Sequence, residues 1–272
     1  MSRTNAVGSW TTATLLAGVT MSAASAHVFD ISGDFSYSGN PNGQWAYEGG
    51  TALLGYAPAP LPGPPAPAST DGYWGSAWEA IVFRATLNSS QTPGYGADDW
   101  LAGDVIVYTP DSGANVRVTW TAPCDGTINY TGAAWYASTI VSRSDIFTLT
   151  LNGGPPLANG VLDPTKTRSN AITFASQAPI VVSGGDVLAL TFVKNAGQSF
   201  GSFAGSILAI DFDPAAKCAA DLDGDCAVGG ADIGILLSTW GPCAGCSSDI
   251  NGDGVVDGAD LGIILGAWGA CG

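Results

Sequence analysis

The last 55 residues of this 272-residue chain contain one unit twice. Residues 218–243 and 246–271 align without a gap over 26 positions at an offset of 28, fourteen of them identical. A repeat of that period means two copies of one small supersecondary unit, each too small to bury a core alone. Each copy opens on an acidic, glycine-bearing loop. In the second copy, side-chain oxygens fall at loop positions 1, 3, 5, 9 and 12 on Asp249, Asn251, Asp253, Asp257 and Asp260, with the carbonyl of Val255 at position 7. In the first they belong to Asp221, Asp223, Asp225 and Asp232, with the carbonyl of Ala227 at position 7. Hard oxygens at this spacing suit Ca²⁺, which takes six to eight of them at about 2.3–2.6 Å. A lone acidic, glycine-rich stretch reads equally well as a solvated turn, and the duplication decides between the two. All eight acidic residues beyond Lys217 fall on loop positions, and residues 218–272 contain no Lys, Arg or His. Without a cation these carboxylates repel one another. Two Ca²⁺ sites are expected, the first the weaker: its position 9 is Gly229, which leaves that place to water, and its position 6 is Cys226 where the other loop has Gly254.

An apolar stripe at helical spacing follows each loop: Ile233, Leu236, Leu237 and Trp240, then Leu261, Ile264, Leu265 and Trp268. The i, i+3, i+4, i+7 pattern predicts one buried face per helix, and Gly241 and Gly269 stand where a helix ends. Four cysteines belong to the repeat. Pairing within each copy, Cys218 with Cys243 and Cys246 with Cys271, is the first expectation, although four cysteines allow three connectivities. Cys124 and Cys226 lie outside the repeat and could bridge the two parts of the chain, stay free, or link two chains.

Loop and following helix, duplicated and without a leading helix, resemble a dockerin module, in particular the Gly- and Cys-bearing dockerin-like modules that end secreted planctomycete proteins, with WGPC and WGAC closings. The resemblance covers residues 218–272. It implies a calcium-dependent interaction module that docks onto a cohesin-type β-sandwich of another polypeptide. It places partner recognition at loop positions 10 and 11, here Gly230 with Ala231 and Gly258 with Ala259. Both copies present the same pair, which is compatible with two docking orientations related by a half turn.

The other end of the chain reads as an address. Arg3 precedes the uncharged run 11–26, which closes on Ala24, Ser25 and Ala26, the pattern of a secretory signal with cleavage after Ala26. The run is too short and too rich in Thr and Ser for a membrane span. Cleavage makes His27, the only histidine, an exposed terminus, and export makes the six cysteines candidates for disulfides. The chain carries 8 Lys+Arg against 23 Asp+Glu, net −15, which argues against a nucleic-acid binder.

Residues 27–213 contain short apolar, β-branched and aromatic runs separated by Gly, Asn, Pro and Asp: 80–83, 104–109, 115–122, 127–132, 145–153, 180–182, 186–193 and 206–212. Alternation in NVRVTW and FTLTL marks half-buried strands. About ten strands and no convincing helix predict a mainly β chain, with a jelly-roll-like β-sandwich over 27–213 and the small α unit of two loop-helix copies over 214–272. The Pro-rich run 57–68 is expected as an exposed loop, and 213–217 as a short linker. The stretch FSYSGNPNGQWAYEGG, with VRVTWTAPCDGTINYTG and FTLTLNG after it, looks like sandwich domains of exported bacterial proteins, which suggests a carbohydrate-binding-like jelly roll. Trp45, Tyr47, Tyr73, Trp74, Trp78 and Trp100 gather around the Pro-rich run, where they serve either core packing or stacking on sugars or a partner. Asp98, Asp99 and Asp104 could help a structural calcium but lack ligand spacing. A glycosidase needs two carboxylates across a cleft, and Glu48 and Glu79 are the only glutamates.

The sequence therefore favours a secreted or cell-surface, non-catalytic protein anchored through a calcium-dependent module to a cohesin-type partner, its sandwich serving carbohydrate or partner binding. An extracellular polysaccharide hydrolase and a calcium-rigidified, self-associating envelope protein are the alternatives.

Overall fold

The computed structural model describes residues 27–58, 72–76, 78–91, 98–138, 141–215 and 218–271. The leader 1–26, residues 59–68 of the Pro-rich run and Lys217 lie outside the described residues. Most of the chain forms two antiparallel sheets. One has nine strands, whose main path runs Ile172–Ala175, Gly126–Tyr136, Phe203–Pro214, Val105–Tyr108, Ile81–Arg84, Tyr73–Gly75 and Tyr56–Ala57. Strand His27–Asp30 joins the lower half of Phe203–Pro214, and Ile180–Val182 joins Gly126–Tyr136. The other sheet has six strands, in the order Pro156–Leu162, Asp145–Leu151, Val187–Lys194, Val116–Thr121, Trp45–Gly49 and Ala52–Leu53.

Side-chain alternation closes the sheets on each other. In Asp145–Leu151, Phe147 and Leu149 are fully buried while Thr148 and Thr150 face away. They meet Trp45, Tyr47, Val118, Trp120, Leu190 and Phe192 of the same sheet and Ile128, Leu208, Ile210 and Phe212 of the other. A second cluster lies on the outer face of the nine-stranded sheet, where Ile106, Tyr108, Phe83, Trp135 and Phe203 are covered by Trp100. Val105–Tyr108 is therefore buried on both faces, which accounts for a continuous apolar run instead of alternation. Gly205 sits where the Trp135 ring crosses the sheet; a Cβ there would meet the indole at 2.1 Å.

Several expectations need correcting. Of the expected short linker 213–217, Asp213 and Pro214 continue the strand paired with Gly126–Tyr136, and residues 216 and 217 lie outside the described residues. His27, expected to be exposed, is half-buried: it pairs with Phe212 and its ring lies edge-on to Phe29 at 4.4 Å. The sandwich also has strands the pattern did not show, among them Pro156–Leu162 and Ile172–Ala175.

The C-terminal unit has two nine-residue helices, α1 (Gly230–Ser238) and α2 (Gly258–Gly266), around a core of Ala220, Val228, Leu236, Val256 and Ile264. Two small strand pairs hold it: Ala227–Val228 with Gly269–Ala270, and Gly241–Pro242 with Val255–Val256. Each pair joins the exit of one loop to the residues after the other copy's helix, so the copies clasp reciprocally. The disulfides obey the same symmetry. Cys218 pairs with Cys271 and Cys243 with Cys246, each bond carried onto the other by the 28-residue offset. Pairing within each copy, the first expectation, is therefore overturned: reciprocal packing brings the start of each copy beside the end of the other. Cys124 pairs with Cys226, the bridge between the two parts of the chain.

The apolar stripes are only half used. Leu236 and Ile264 are fully buried, whereas Leu237, Trp240, Leu265 and Trp268 are 51–57% exposed. The helices end at Ser238 and Gly266, so the tryptophans lie beyond the last turn, and a five-residue core has no room for the second leucine of each stripe.

Candidate metal centre

The first acidic loop folds around its own carboxylates. Asp221 accepts the N–H groups of Gly224 at 2.8 Å and Cys226 at 2.9 Å; Asp223 accepts Asp225 N–H at 3.2 Å and Asp225 accepts Ala227 N–H at 2.8 Å. These Asx-type bonds need a chain that turns sharply, and Gly224 (φ +75) and Cys226 (φ +68) supply the left-handed residues. The result places an oxygen from each of Asp221, Asp223 and Asp225 within 4.8 Å of one another. In this cluster Asp223 is pushed up to about 6 by desolvation and by its neighbours Asp225, Asp232 and Asp221. Asp221 is raised for the same reasons.

The second loop repeats the pattern. Asp249 accepts the N–H groups of Asp253 at 3.0 Å and Gly254 at 2.8 Å, Asn251 accepts Asp253 N–H at 2.9 Å, and Asp253 accepts Val255 N–H at 2.9 Å. Asn251 also donates its amide to Asp253 at 3.0 Å. That bond replaces one like-charge contact of the first loop with an attraction.

Position 12 also ties the loop to its helix. Asp232, buried to 1% exposure, accepts the N–H groups of Leu222 at 2.6 Å, Asp223 at 3.3 Å and Gly229 at 2.6 Å. Asp260, fully buried, accepts those of Ile250 at 2.8 Å, Asn251 at 3.1 Å and Asp257 at 2.9 Å. Each carboxylate sits at the third residue of its helix and ties loop entry to helix start, as in a capping box. The backbone donors, first that of Asp257, hold Asp260 below the usual carboxylate range. Position 9 differs between the copies: Asp257 caps α2 by accepting Ala259 N–H at 2.7 Å, while Gly229 has the same backbone angles and no side chain.

The donor set fits a hard divalent cation. It is all oxygen, with no lysine, arginine or histidine in residues 218–272. Asp221, Asp223 and Asp225 each accept one or two N–H groups where an ionised carboxylate has about four acceptor sites. With the carbonyl of Ala227 and Asp232 they could hold such an ion in the first loop; Asp249, Asn251, Asp253, Asp257, Asp260 and the carbonyl of Val255 could do so in the second.

Gly230, Ala231, Gly258 and Ala259 are exposed on the first turns of α1 and α2. What the sequence reading missed is the apolar surface that Leu237, Trp240, Leu265 and Trp268 leave open. Its signal was present in the repeat itself, which keeps both tryptophans although neither is needed in the core.

Within the sandwich most singled-out residues have structural work. Trp45, Tyr47, Tyr73, Trp74 and Trp100 are buried, and Trp78 alone of the six is exposed, at 44%, edge-on to Tyr108. Asp104 holds Arg168 through Nε at 2.8 Å and Nη2 at 3.0 Å, and Asp99 accepts the Arg168 N–H at 2.7 Å. These two aspartates thus engage Arg168, and Asp98 is buried beside them in sequence. Glu48 faces Arg117 on the neighbouring strand at 3.4 Å, and Glu79 accepts a hydrogen bond from Ser112 at 3.0 Å.

No family model and no curated relative matches the chain. Among solved structures it is similar to the C-terminal family 6 carbohydrate-binding module of a marine laminarinase from Zobellia galactanivorans, at 15% identity over 39% of this chain and 79% of that one, TM-score 0.23. It is similar to a family 35 carbohydrate-binding module from Clostridium thermocellum, at 16% identity over 49% and 86%, TM-score 0.27. It also resembles an exo-β-1,3-galactanase from Phanerochaete chrysosporium, at 14% identity over 48% of this chain and 26% of the enzyme, TM-score 0.27.

Proposed function

We propose that this is an exported, non-catalytic protein whose C-terminal unit is a dockerin-like module that binds two Ca²⁺ and docks onto a cohesin-type domain, carrying the sandwich with it. The observation that supports the calcium reading best is the convergence of Asp221, Asp223 and Asp225 within 4.8 Å in a unit without a basic residue. A bound dication cancels that repulsion. Docking is supported by the exposure of Leu237, Trp240, Leu265 and Trp268 and by that of Gly230, Ala231, Gly258 and Ala259. Apolar side chains left open at equivalent places on both copies suit a surface that a partner covers. Three disulfides favour an oxidising, extracellular setting, and no helix among the described residues is long and apolar enough to cross a membrane. For the sandwich we propose a jelly-roll-like carbohydrate-binding role, supported by the sequence resemblance and by the exposed Trp78 ring.

Isothermal titration of the full chain with Ca²⁺ after chelation tests the centre. Two bound ions per chain are expected; no heat and no retained ion in equilibrium dialysis overturns the reading. Titration of the loaded protein against cohesin-type domains then tests docking, with sedimentation of the protein alone showing whether calcium drives self-association instead.

A further inference from the structure

The two loops share sequence and backbone but not surroundings. Gly224, at position 4 of the first loop, lies against His27, and a Cβ there would meet the His27 Cβ at 2.7 Å; Gly252, its counterpart, has nothing within 4 Å. Cys226, at position 6, is bonded to Cys124, which lies between strands Val116–Thr121 and Gly126–Tyr136. It is only 7% exposed and packs with the sandwich core, not with the core of its own unit. Its counterpart Gly254 again has nothing within 4 Å. Asp223 and Gly224 are accordingly half-buried where Asn251 and Gly252 are exposed.

Position 6 is left-handed in both loops, φ +68 at Cys226 and +90 at Gly254. Glycine adopts that conformation freely, whereas a residue with a Cβ is strained in it. In the first loop the bond to Cys124 anchors the strained residue. Cys226 also donates its N–H to Asp221 at 2.9 Å, so the anchor bears directly on the carboxylate at position 1.

From these contacts we infer that the first loop is a metal-stiffened joint: Ca²⁺ held by Asp221, Asp223 and Asp225 stabilises the sandwich as well as the C-terminal unit, whereas Ca²⁺ in the second loop stabilises the C-terminal unit alone. The inference rests on the calcium reading proposed above. A cation that fixes positions 1, 3 and 5 fixes the residues between and after them, Gly224 and Cys226, which are the ones pressed on and bonded to the sandwich. Through Cys226 it orders the turn at Cys124, and through Gly224 it backs the strand His27–Asp30, which pairs with Phe203–Pro214. Unfolding of the sandwich then distorts the first site and loses its ion; it leaves the second site untouched.

The test is the thermal transition of the full chain, followed by near-ultraviolet circular dichroism of the buried Trp45, Trp120 and Trp135. It is run with chelator and with Ca²⁺ at about a hundred times the measured Kd. In the unmodified protein and in Asp249→Ala, calcium is expected to raise the sandwich transition by roughly 5–10 °C. In Asp221→Ala the rise is lost. It is also lost in the double variant Cys124→Ser with Cys226→Gly, where glycine keeps the position 6 backbone and calorimetry still counts two ions. Equal rises in Asp221→Ala and Asp249→Ala, or an undiminished rise in the double variant, overturn the joint and leave the calcium reading intact. Absence of Ca²⁺ binding to the unmodified protein overturns both. If the double variant does not fold, the comparison of Asp221→Ala with Asp249→Ala decides alone.

Discussion

Single residues separate the two copies more than their overall likeness suggests. Gly229 and Asp257 occupy the same place with the same extended angles, φ −147 and ψ −160. Nothing lies closer than 4.0 Å to where a Gly229 side chain would start. Gly229→Asp is therefore expected to tighten calcium at the first loop by supplying the position 9 oxygen, and to stabilise the chelated form by only a few tenths of a kcal/mol as a helix cap. Calorimetric titration and a chelated melt measure the two effects; an unchanged first-site affinity rejects a ligand role for position 9. Asp145 gives a prediction of another kind. It is fully buried, accepts hydrogen bonds from Thr109 at 2.7 Å and Ser202 at 2.6 Å, and is pushed up to about 6 by desolvation, against which both hydroxyls and Arg143 pull. The folded protein keeps this proton to higher pH than the unfolded chain does. Stability contributed by the protonated form is thus present below about 4 and lost as pH rises to about 6, by on the order of 3 kcal/mol. Urea midpoints between pH 4 and 7 should fall with pH in the native protein and lose that component in Asp145→Asn; identical slopes reject the assignment. The loop aspartates could be read from sequence because duplication marks them. Nothing local marks Asp145, whose partners lie 36 and 57 residues away.

At the scale of elements, the helices and loops of the C-terminal unit follow their period, but the way the copies join does not. A repeat shows that two units exist without showing whether each closes on itself or on its neighbour. Reciprocal strand pairs decide that here, and the cysteines follow them. Cys218–Cys271 spans 53 residues, so in the chain-entropy account it contributes on the order of 4 kcal/mol. Cys243–Cys246 spans three and constrains the unfolded chain far less. Cys271→Ser should accordingly melt α1 and α2 early in calcium-free solution, while Cys246→Ser has a much smaller effect, read by the helical signal at 222 nm. Similar losses in both variants would show that strain or packing, not loop closure, governs the unit. In the sandwich, FTLTL and NVRVTW were legible because their outward residues are polar. Pro156–Leu162 was not: its proline, glycine and asparagine resemble a turn, and only pairing with Asp145–Leu151 makes it a strand.

Across the whole molecule, most hydrogen-bonded ladders join strands distant in the chain. Phe203–Pro214 pairs with Gly126–Tyr136 on one side and with both Val105–Tyr108 and His27–Asp30 on the other. Periodicity reveals such strands and not their neighbours, so the sheet order and the Cys124–Cys226 bridge, 102 residues apart, were beyond the reach of sequence. Two cores of unequal size result. The sandwich buries several tryptophans and phenylalanines between its sheets, and the C-terminal unit encloses five small or aliphatic residues. A core that small does not stabilise a fold alone, so disulfides and, on the proposed calcium reading, the bound cation supply the remainder. Calcium removal should therefore act unevenly. In amide exchange with chelator, Leu222, Ile250 and the amides of α1 and α2 are expected to lose protection by about a hundredfold, the equivalent of an ion present at 100 times its Kd. The amides of Val105–Tyr108 and of Ala204–Ile210 lie in ladders within the sandwich, which the first ion also supports, so they should lose some protection with chelator yet keep more of it than the C-terminal unit does. Equal remaining protection in the two parts would mean one cooperative body with no separate C-terminal core. Full retention in residues 218–271 would mean that three disulfides and five apolar side chains suffice, and that the acidic loops fold without an ion.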